Sequence, residues 1–504
     1  MFDVTPLLRL YAQRRDAARN AMPAAAAQSM VLARLVSAAQ RTRFGRAHDL
    51  KRVRNVADFQ SAVPVRRYEA FWEEWWKADF PVLRDVTWPG KIPYFAVSSG
   101  TSSGRTKYLP LSHSMVEANK RAGLELLSNH VLARPRSRIL GGKLFMLGGS
   151  TDLKDLGHGV KAGDLSGILA AGSPFWSRFL TYPPRHLQRI EDWEAKIDAL
   201  VEDLPKRDIR FIGGTPSWLL LLFERLAAQH PKAGWGAKGL FPNLEMVVHG
   251  GVNFTPYRDR FQDWLAGTGA ETREVYPASE GFIGIADAGP DDGLRLVLDG
   301  VLFYEFVPVE ELDSAQPTRH WIGNVETGVN YAVLLTTTAG FWSYVLGDTV
   351  SFVSLDPPRV KVTGRISYNL SAFGEHLIDA ELEAAITTAA REIGSNVTDF
   401  SVGPVFPDAA ESRGRHRFVV EFDTEQDEGA VRRFTERLDA ALAEENDDYA
   451  VHRREDFGML GPEVIAVPPG HFAEWMKSRG KLGGQHKVPR VVADARDLAE
   501  LVDR

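Results

Sequence analysis

The chain has 504 residues, with 60 lysines and arginines against 66 aspartates and glutamates, a formal charge of −6 and 44% hydrophobic residues. That balance excludes wholesale disorder and any global basic field for nucleic acid, and the length predicts about two to four domains. The chain has no cysteine, which excludes disulfides, thiolate zinc sites, iron–sulfur clusters and a cysteine nucleophile together.

Residues 1 to about 80 read as helical, with Leu7, Leu8, Leu10 and Tyr11, then Met30, Leu32, Leu35 and Val36, recurring at helical spacing. Arg9, Arg14, Arg15, Asp16 and Arg19 interrupt any apolar leader region. The basic run Arg41 to Arg54 reads as a solvated helix end and loop. Phe71, Trp72, Trp75 and Trp76 form an aromatic stripe whose expected role is packing. Strand-like runs follow at Ile92 to Val97, Lys143 to Leu147, Ile209 to Ile212 and Leu244 to Val248. Helical stretches lie between them, at Met115 to Leu132, Leu187 to Leu204 and Trp218 to Gln229. This alternation predicts an α/β sheet. The longest apolar stretch, Trp218 to Phe223, is far shorter than the roughly 20 residues of a membrane helix.

From Leu294 to Val353 short β-rich runs dominate, at Leu294 to Leu298, Leu302 to Val307, Tyr331 to Thr337 and Thr349 to Val353, separated by Gly300, Gly323, Gly328 and Gly340. They predict a β-barrel-like subdomain or β-layer attached to the sheet. A helix from about Ala380 to Ile393, strands at Val397 to Val402 and Arg417 to Phe422, and a helix from Glu428 to Glu444 predict a small C-terminal α+β domain. The expected division is 1–365 and 366–504.

The densest chemical signal is the run Val97 to Lys107. It holds Ser98, Ser99, Gly100, Thr101, Ser102, Gly104 and Lys107 directly after a predicted strand. Glycines let backbone N–H groups approach an anion, hydroxyls add donors and a lysine adds charge, which is the chemistry of a polyphosphate cradle. Lys107 is not directly preceded by glycine and no Ser or Thr follows it, so this is not a Walker A loop. The same loop matches G-x-S-x-G, which leaves open a hydrolase elbow with Ser102 as nucleophile. That alternative needs a helix next, whereas Lys107 to Leu111 reads as a second strand containing Pro110. His113, His158, His249, His376 and His486 are scattered and make no metal motif.

The run Ser98-Ser99-Gly100-Thr101-Ser102-x-Gly104-x-x-Lys107 resembles the first motif of the auxin-responsive (Gretchen Hagen 3) acyl acid-amido synthetases, within the adenylate-forming superfamily. Tyr276-Pro277-Ala278-Ser279-Glu280-Gly281 resembles their second motif, and Leu335 to Asp348 their third. Fainter echoes span the chain: Phe44-Gly45-Arg46, Pro64-Val65-Arg66, Gly214 to Trp218, His249-Gly250-Gly251 and Gln485 to Arg490. The third motif departs from the pattern, because Ser343 and Val345 stand where arginines are usual. This puts any role of those arginines in doubt and suggests a divergent, bacterial-type member.

Chemistry and resemblance together assign roles. Glu280 can hold Mg²⁺ against phosphates, Tyr276 offers a face for adenine, and Asp348 can accept both ribose hydroxyls. Ala278 and Ser279 belong to the same nucleotide-binding motif. By resemblance Arg365 reaches the ribose, with a surface arginine as the alternative, and Lys487 is the mobile catalytic lysine, with Lys107 as the second catalytic lysine. His249, Gly250 and Gly251 line an acyl pocket, although His249 reads equally as a structural histidine. The expected protein is a cytoplasmic ATP- and Mg²⁺-dependent ligase with an adenylate-forming α/β architecture. It would join a small carboxylic acid to an amino acid, with no nucleic-acid or membrane partner. Alternatives are an acyl-CoA ligase sharing the adenylation step, a serine hydrolase, and a non-catalytic nucleotide binder.

Overall fold

The computed structural model describes residues 3–99, 106–148, 151–172, 175–190, 193–233, 236–251, 254, 257–289, 292–366, 377, 379–405, 414–446, 449–450, 453, 459–479, 488–492 and 495–502. The chain divides into two compact units, Met1–Val362 and Thr363–Arg504.

Among the described residues sixteen strands precede or bridge the division: β1 Tyr94–Ser99, β2 Thr106–Leu111, β3 Lys143–Met146, β4 Lys154–Gly157, β5 Val160–Gly163, β6 Thr181–Tyr182, β7 Ile209–Gly214, β8 Met246–Gly250, β9 Glu271–Ala278, β10 Gly281–Ile285, β11 Leu294–Leu296, β12 Leu302–Pro308, β13 His320–Trp321, β14 Asn330–Thr337, β15 Tyr344–Leu355 and β16 Pro358–Arg365. Four form a small sheet in the order β2-β1-β5-β4, and twelve form one large sheet in the order β13-β12-β14-β15-β16-β11-β10-β9-β8-β7-β3-β6. The strands from β6 through β3, β7 and β8 to β9 are mutually parallel. β7 and β8 read as near-continuous apolar runs because helices bury them on both faces.

The β-rich stretch was expected as a barrel-like subdomain or layer. It instead extends the parallel strands within the same open sheet: β9 turns back antiparallel into β10, and the ladder continues through β11. The two-residue turn Ser279-Glu280 makes that reversal, since Ala278 pairs with Gly281. No crossover helix is then required, and antiparallel pairing follows without a break. The stretch Leu187 to Leu204, read as one helix, is two pieces, Arg185–Gln188 and Trp193–Asp203. Its buried period, Ile197, Leu200, Val201 and Leu204, begins only in the second.

Sequence-local signals set the other helices. Ser112 caps the helix His113–Ala133 by accepting from the Met115 N–H, and Asn55 caps Val56–Ala62 through Asp58. The aromatic stripe does pack: Phe71 and Trp76 are wholly buried, with ring centroids 5.5 and 5.1 Å from Phe341. They belong to a core that also takes in Phe95, Leu109, Tyr276, Ile283 and Tyr344. The strands flanking the serine-rich loop therefore share one core with the second and third motifs.

The second unit has a three-stranded sheet, β17 Val397–Val405, β18 Arg415–Phe422 and β19 Glu463–Val467, in that order. The helices Asp379–Glu392 and Glu428–Glu445 contribute Leu382, Ile386, Phe434 and Leu438 to its core. Among the described residues no helix is long and apolar enough to cross a membrane.

Candidate nucleotide and acyl site

The parallel strands end together at one edge of the large sheet. There β3 delivers Met146, β7 delivers Gly214, β8 delivers His249 and Gly250, and β9 delivers Tyr276. Ligands of open α/β sheets lie outside such carboxyl ends. Gly250 is required there, because a Cβ would come within 2.3 Å of the Val275 carbonyl oxygen.

Two tyrosine–carboxylate clasps tie the second motif to the third. The Tyr276 hydroxyl donates to Asp348 Oδ2 at 2.8 Å, and the Tyr344 hydroxyl donates to Glu280 Oε1 at 3.0 Å. Asp348 reaches its place through an irregular stretch of β15. Val345 pairs with Leu334 and Thr349 with Ala332, so Leu346, Gly347 and Asp348 stand against a single residue of β14. Gly347 takes φ +99°, in the region that favours glycine. Bulges of this kind bend a strand and re-aim a side chain. Glu280, only 7% exposed, sits at the tip of the tight β9–β10 hairpin. Tyr276 is 5% exposed, and its hydroxyl occupies an oxygen of the carboxylate expected to serve the ribose alone.

The missing arginines of the third motif have structural substitutes. Ser343 is buried at φ +45°; its hydroxyl donates to Glu305 Oε2 at 2.6 Å and accepts from Arg319 Nη2 at 2.6 Å. Arg319 and Glu305 are paired at 2.7 Å, with side chains 9% and 1% exposed. Val345 is buried, and its N–H bonds the Arg66 carbonyl at 2.9 Å while Arg66 N–H bonds Ser343 at 3.1 Å. The segment is held without the usual side chains.

Lys107 lies opposite Ser98 in the β1–β2 ladder, and Thr106 opposite Ser99. Its ammonium is 3.7 Å from Glu69 and 5.2 Å from the Tyr68 ring centroid. Gly100, Thr101, Ser102 and Gly104 lie outside the described residues, as does Lys487. The chain re-enters as strand β2 at Thr106, and not as the helix a nucleophile elbow needs, so the hydrolase alternative loses its structural premise. In the second unit the residues just after the Lys487 position are pinned to β17. Ser401 Oγ donates to the Pro489 carbonyl at 2.7 Å, Val402 N–H to the Arg490 carbonyl at 2.7 Å, and Arg490 pairs with Asp399. Arg365 closes β16 and falls in this unit.

His249 is 3% exposed and stacked on Phe254, with ring centroids 3.5 Å apart. Burial, with the Arg258 charge adding, pushes its imidazole down to about 3. Burial raises its strand neighbour Glu274, against the pull of Arg258. Neither Glu274 nor Arg258 was singled out from sequence, because nothing local marks them. Tyr344 lies within the third motif, but nothing in the sequence assigns it a role, and its bond to Glu280 spans 64 residues.

Three family profiles match: the GH3 family N-terminal domain at residues 15–150, the central domain at 295–365 and the C-terminal domain at 380–496. Similar curated proteins include an indole-3-acetic acid-amido synthetase, GH3.8, of Oryza sativa subsp. indica, 27% identical over 56% of this chain and 49% of its own. Another is the 4-substituted benzoates-glutamate ligase GH3.12 of Arabidopsis thaliana, 25% identical over 58% and 53%. The matched stretches thus span about half the length of these relatives. Among solved structures, the GH3.15 acyl acid amido synthetase superposes with a TM-score of 0.78 at 18% identity, covering 95% of this chain and 92% of that one. A 2-hydroxyisobutyryl-CoA ligase in the postadenylation state superposes with a TM-score of 0.63 at 16% identity, covering 96% and 94%. These likenesses show the fold.

Proposed function

The chain belongs to the GH3 family, and on that premise we propose that it is an ATP-dependent acyl acid-amido synthetase. A carboxylate attacks the α-phosphate of ATP, forming acyl-adenylate and releasing pyrophosphate. The amine of an amino acid then attacks the acyl carbon, and AMP leaves.

The observation that carries this reading is the pair of clasps Tyr276–Asp348 and Tyr344–Glu280, which hold two acidic groups at the carboxyl edge of the sheet. Asp348 is assigned to the ribose. The segment from Ser98 to Lys107 is assigned to the phosphates, and Arg365 to the ribose. Lys487 is assigned the charge that develops as the carboxylate attacks.

A divalent ion fits the donor at Glu280, a buried carboxylate with one oxygen oriented by a tyrosine hydroxyl. Among the described residues no three His, Asp or Glu side chains form a metal cage. Mg²⁺ would therefore take Glu280 and phosphate oxygens, and its chemistry would be to neutralise phosphate charge.

A second reading, transfer to coenzyme A after the same first step, draws on the likeness to the 2-hydroxyisobutyryl-CoA ligase fold. The test is purified protein with ATP, a panel of acids, and either amino acids or coenzyme A. Amide product supports the synthetase; product with coenzyme A alone overturns the acceptor assignment. Lys487→Ala should slow adenylate formation about a hundredfold and leave aminolysis of supplied adenylate less affected. Equal loss in both steps would refute the role given to that lysine.

A further inference from the structure

Resting on the acyl-activating reading above, we propose that His249, together with Glu274, selects the acid. The two would hydrogen-bond a hydroxyl or comparable neutral polar group carried at the far end of the acid from its carboxylate.

The first support is an unmet demand. His249 is 97% buried by complement of its 3% exposure, and its Nδ1 has no hydrogen-bond partner among the described residues. Buried polar atoms in folded proteins are almost always paired, so such an atom calls for an explanation. The ring is not free to turn away, since Phe254 stacks on it at an interplanar angle of 13°. Burial keeps it uncharged at neutral pH. A neutral imidazole can donate or accept at that nitrogen, but it offers no charge to a second carboxylate.

The second support is placement. His249 and Glu274 are direct partners in the β8–β9 ladder, so their side chains share a face. Partnering His249 on the other side is Gly214 of β7, where the side chains of Leu147 and Leu219 pack close, so this flank of the imidazole is apolar and supplies it no hydrogen bond. Tyr276 lies two residues beyond Glu274 on the same strand, hence on the same face and about 7 Å nearer the carboxyl edge. An acid whose reacting end lies beside Tyr276, Asp348 and Glu280 would thus bring its far end to His249 and Glu274. That distance is the span of a benzene ring with its substituents or of a short alkyl chain.

The chemistry follows from both. Glu274 adds a second polar group on the same face, its carboxyl pushed up by burial against the pull of Arg258. A wholly apolar acid would leave the imidazole nitrogen unmet, and a dianionic acid would face Glu274. An acid with a distal hydroxyl satisfies the position. Sites built to pair a substrate hydroxyl discriminate strongly against the analogue lacking it, because their own polar groups are then stranded.

ATP–pyrophosphate exchange with matched acids tests this. The pairs are 3-(4-hydroxyphenyl)propanoate with 3-phenylpropanoate, 4-hydroxybenzoate with benzoate, and 6-hydroxyhexanoate with hexanoate. The expected result is a preference of at least about tenfold in kcat/KM for the hydroxylated member of one pair or more. The ratio should fall to about one in His249→Phe and be largely retained in His249→Gln, which restores a polar group. A merely structural histidine would change both members of a pair alike and leave the ratio untouched, which would overturn the proposal. Exchange without preference in any pair would overturn it alone. No exchange with any acid would overturn the acyl-activating reading beneath it.

Discussion

His130 and His249 stand at opposite edges of the same parallel strands, and both are buried, at 0% and 3% exposure. At the amino edge, Glu245 precedes β8 and Glu271 opens β9; His130, near the end of the helix His113–Ala133, lies between them at 3.2 and 2.6 Å. Arg134 and Arg273 engage Glu271, and Ser137 and Arg210 engage Glu245. Burial lowers the His130 pKa, but the hydrogen bonds its ring N–H groups donate to both carboxylates more than offset it, and the net direction is upward. At the carboxyl edge His249 has burial and a nearby cation, and goes down. One residue type at nearly equal burial thus titrates in opposite directions because only one of the two is given carboxylate partners. The amino edge meets the needs of its own buried groups, whereas at the carboxyl edge His249 Nδ1 has no hydrogen-bond partner among the described residues, a division made in space and invisible along the chain.

The sharpest way to break this contrast is to exchange the consequences. At the carboxyl edge, Glu280→Gln and Asp348→Asn each keep an acceptor for the tyrosine hydroxyl, yet should lower kcat/KM for ATP about a hundredfold. Their urea midpoints should stay close to that of the parent; a collapse of stability with little kinetic effect would reverse the assignment of that edge. At the amino edge, Glu271→Ala removes one of the two carboxylate partners of His130 and the carboxylate shared by Arg134 and Arg273, and should cost about 3 kcal/mol in urea denaturation. Rates per folded molecule should remain unchanged, and a large kinetic loss there would mean that the two edges are not separable.

The pH dependence should be smaller and opposite at the two sites. His130, raised above its ordinary 6.5, contributes fully below that value and loses its contribution as pH rises through the raised pKa. His249, lowered to about 3 from 6.5, contributes fully above 6.5 and loses its contribution as pH falls toward 3. The stability advantage of the parent over His130→Gln should therefore shrink on the alkaline side of 6.5, and its advantage over His249→Phe on the acid side. Parallel urea curves at several pH values check both signs. The smallest effect is expected at neither edge: Ser343→Ala removes one hydroxyl from the buried Arg319–Glu305 pair and should cost about 1 kcal/mol.

Much of the fold was legible. Apolar runs such as Ile209 to Ile212 and periodic stretches such as Met115 to Leu132 lie inside the observed β7 and the helix His113–Ala133, since local pattern and burial agree there. β15 was read too short, beginning at Thr349, although it starts at Tyr344; Gly347 and the irregular register hide a strand behind what looks like a turn. Tyr276, Glu280 and Asp348 were legible as a motif, but their mutual clasps were not, because 72 residues separate Tyr276 from Asp348. The His130 cluster gave no sign at all, with partners 141 and 115 residues away.

The sequence by itself determined which segments become strands and helices, the two-part organisation of helix-and-strand and β-rich texture, and the family to which the motifs point. Those properties follow from short-range periodicity and from side-chain chemistry that a few neighbouring residues carry. Only the tertiary structure decided that the β-rich stretch continues the main sheet, that two tyrosines grip the acidic groups of the site, and that one buried histidine is paired while the other is not. A buried group's charge and freedom are set by whatever long-range folding brings within a few ångströms of it, and no local pattern encodes that company.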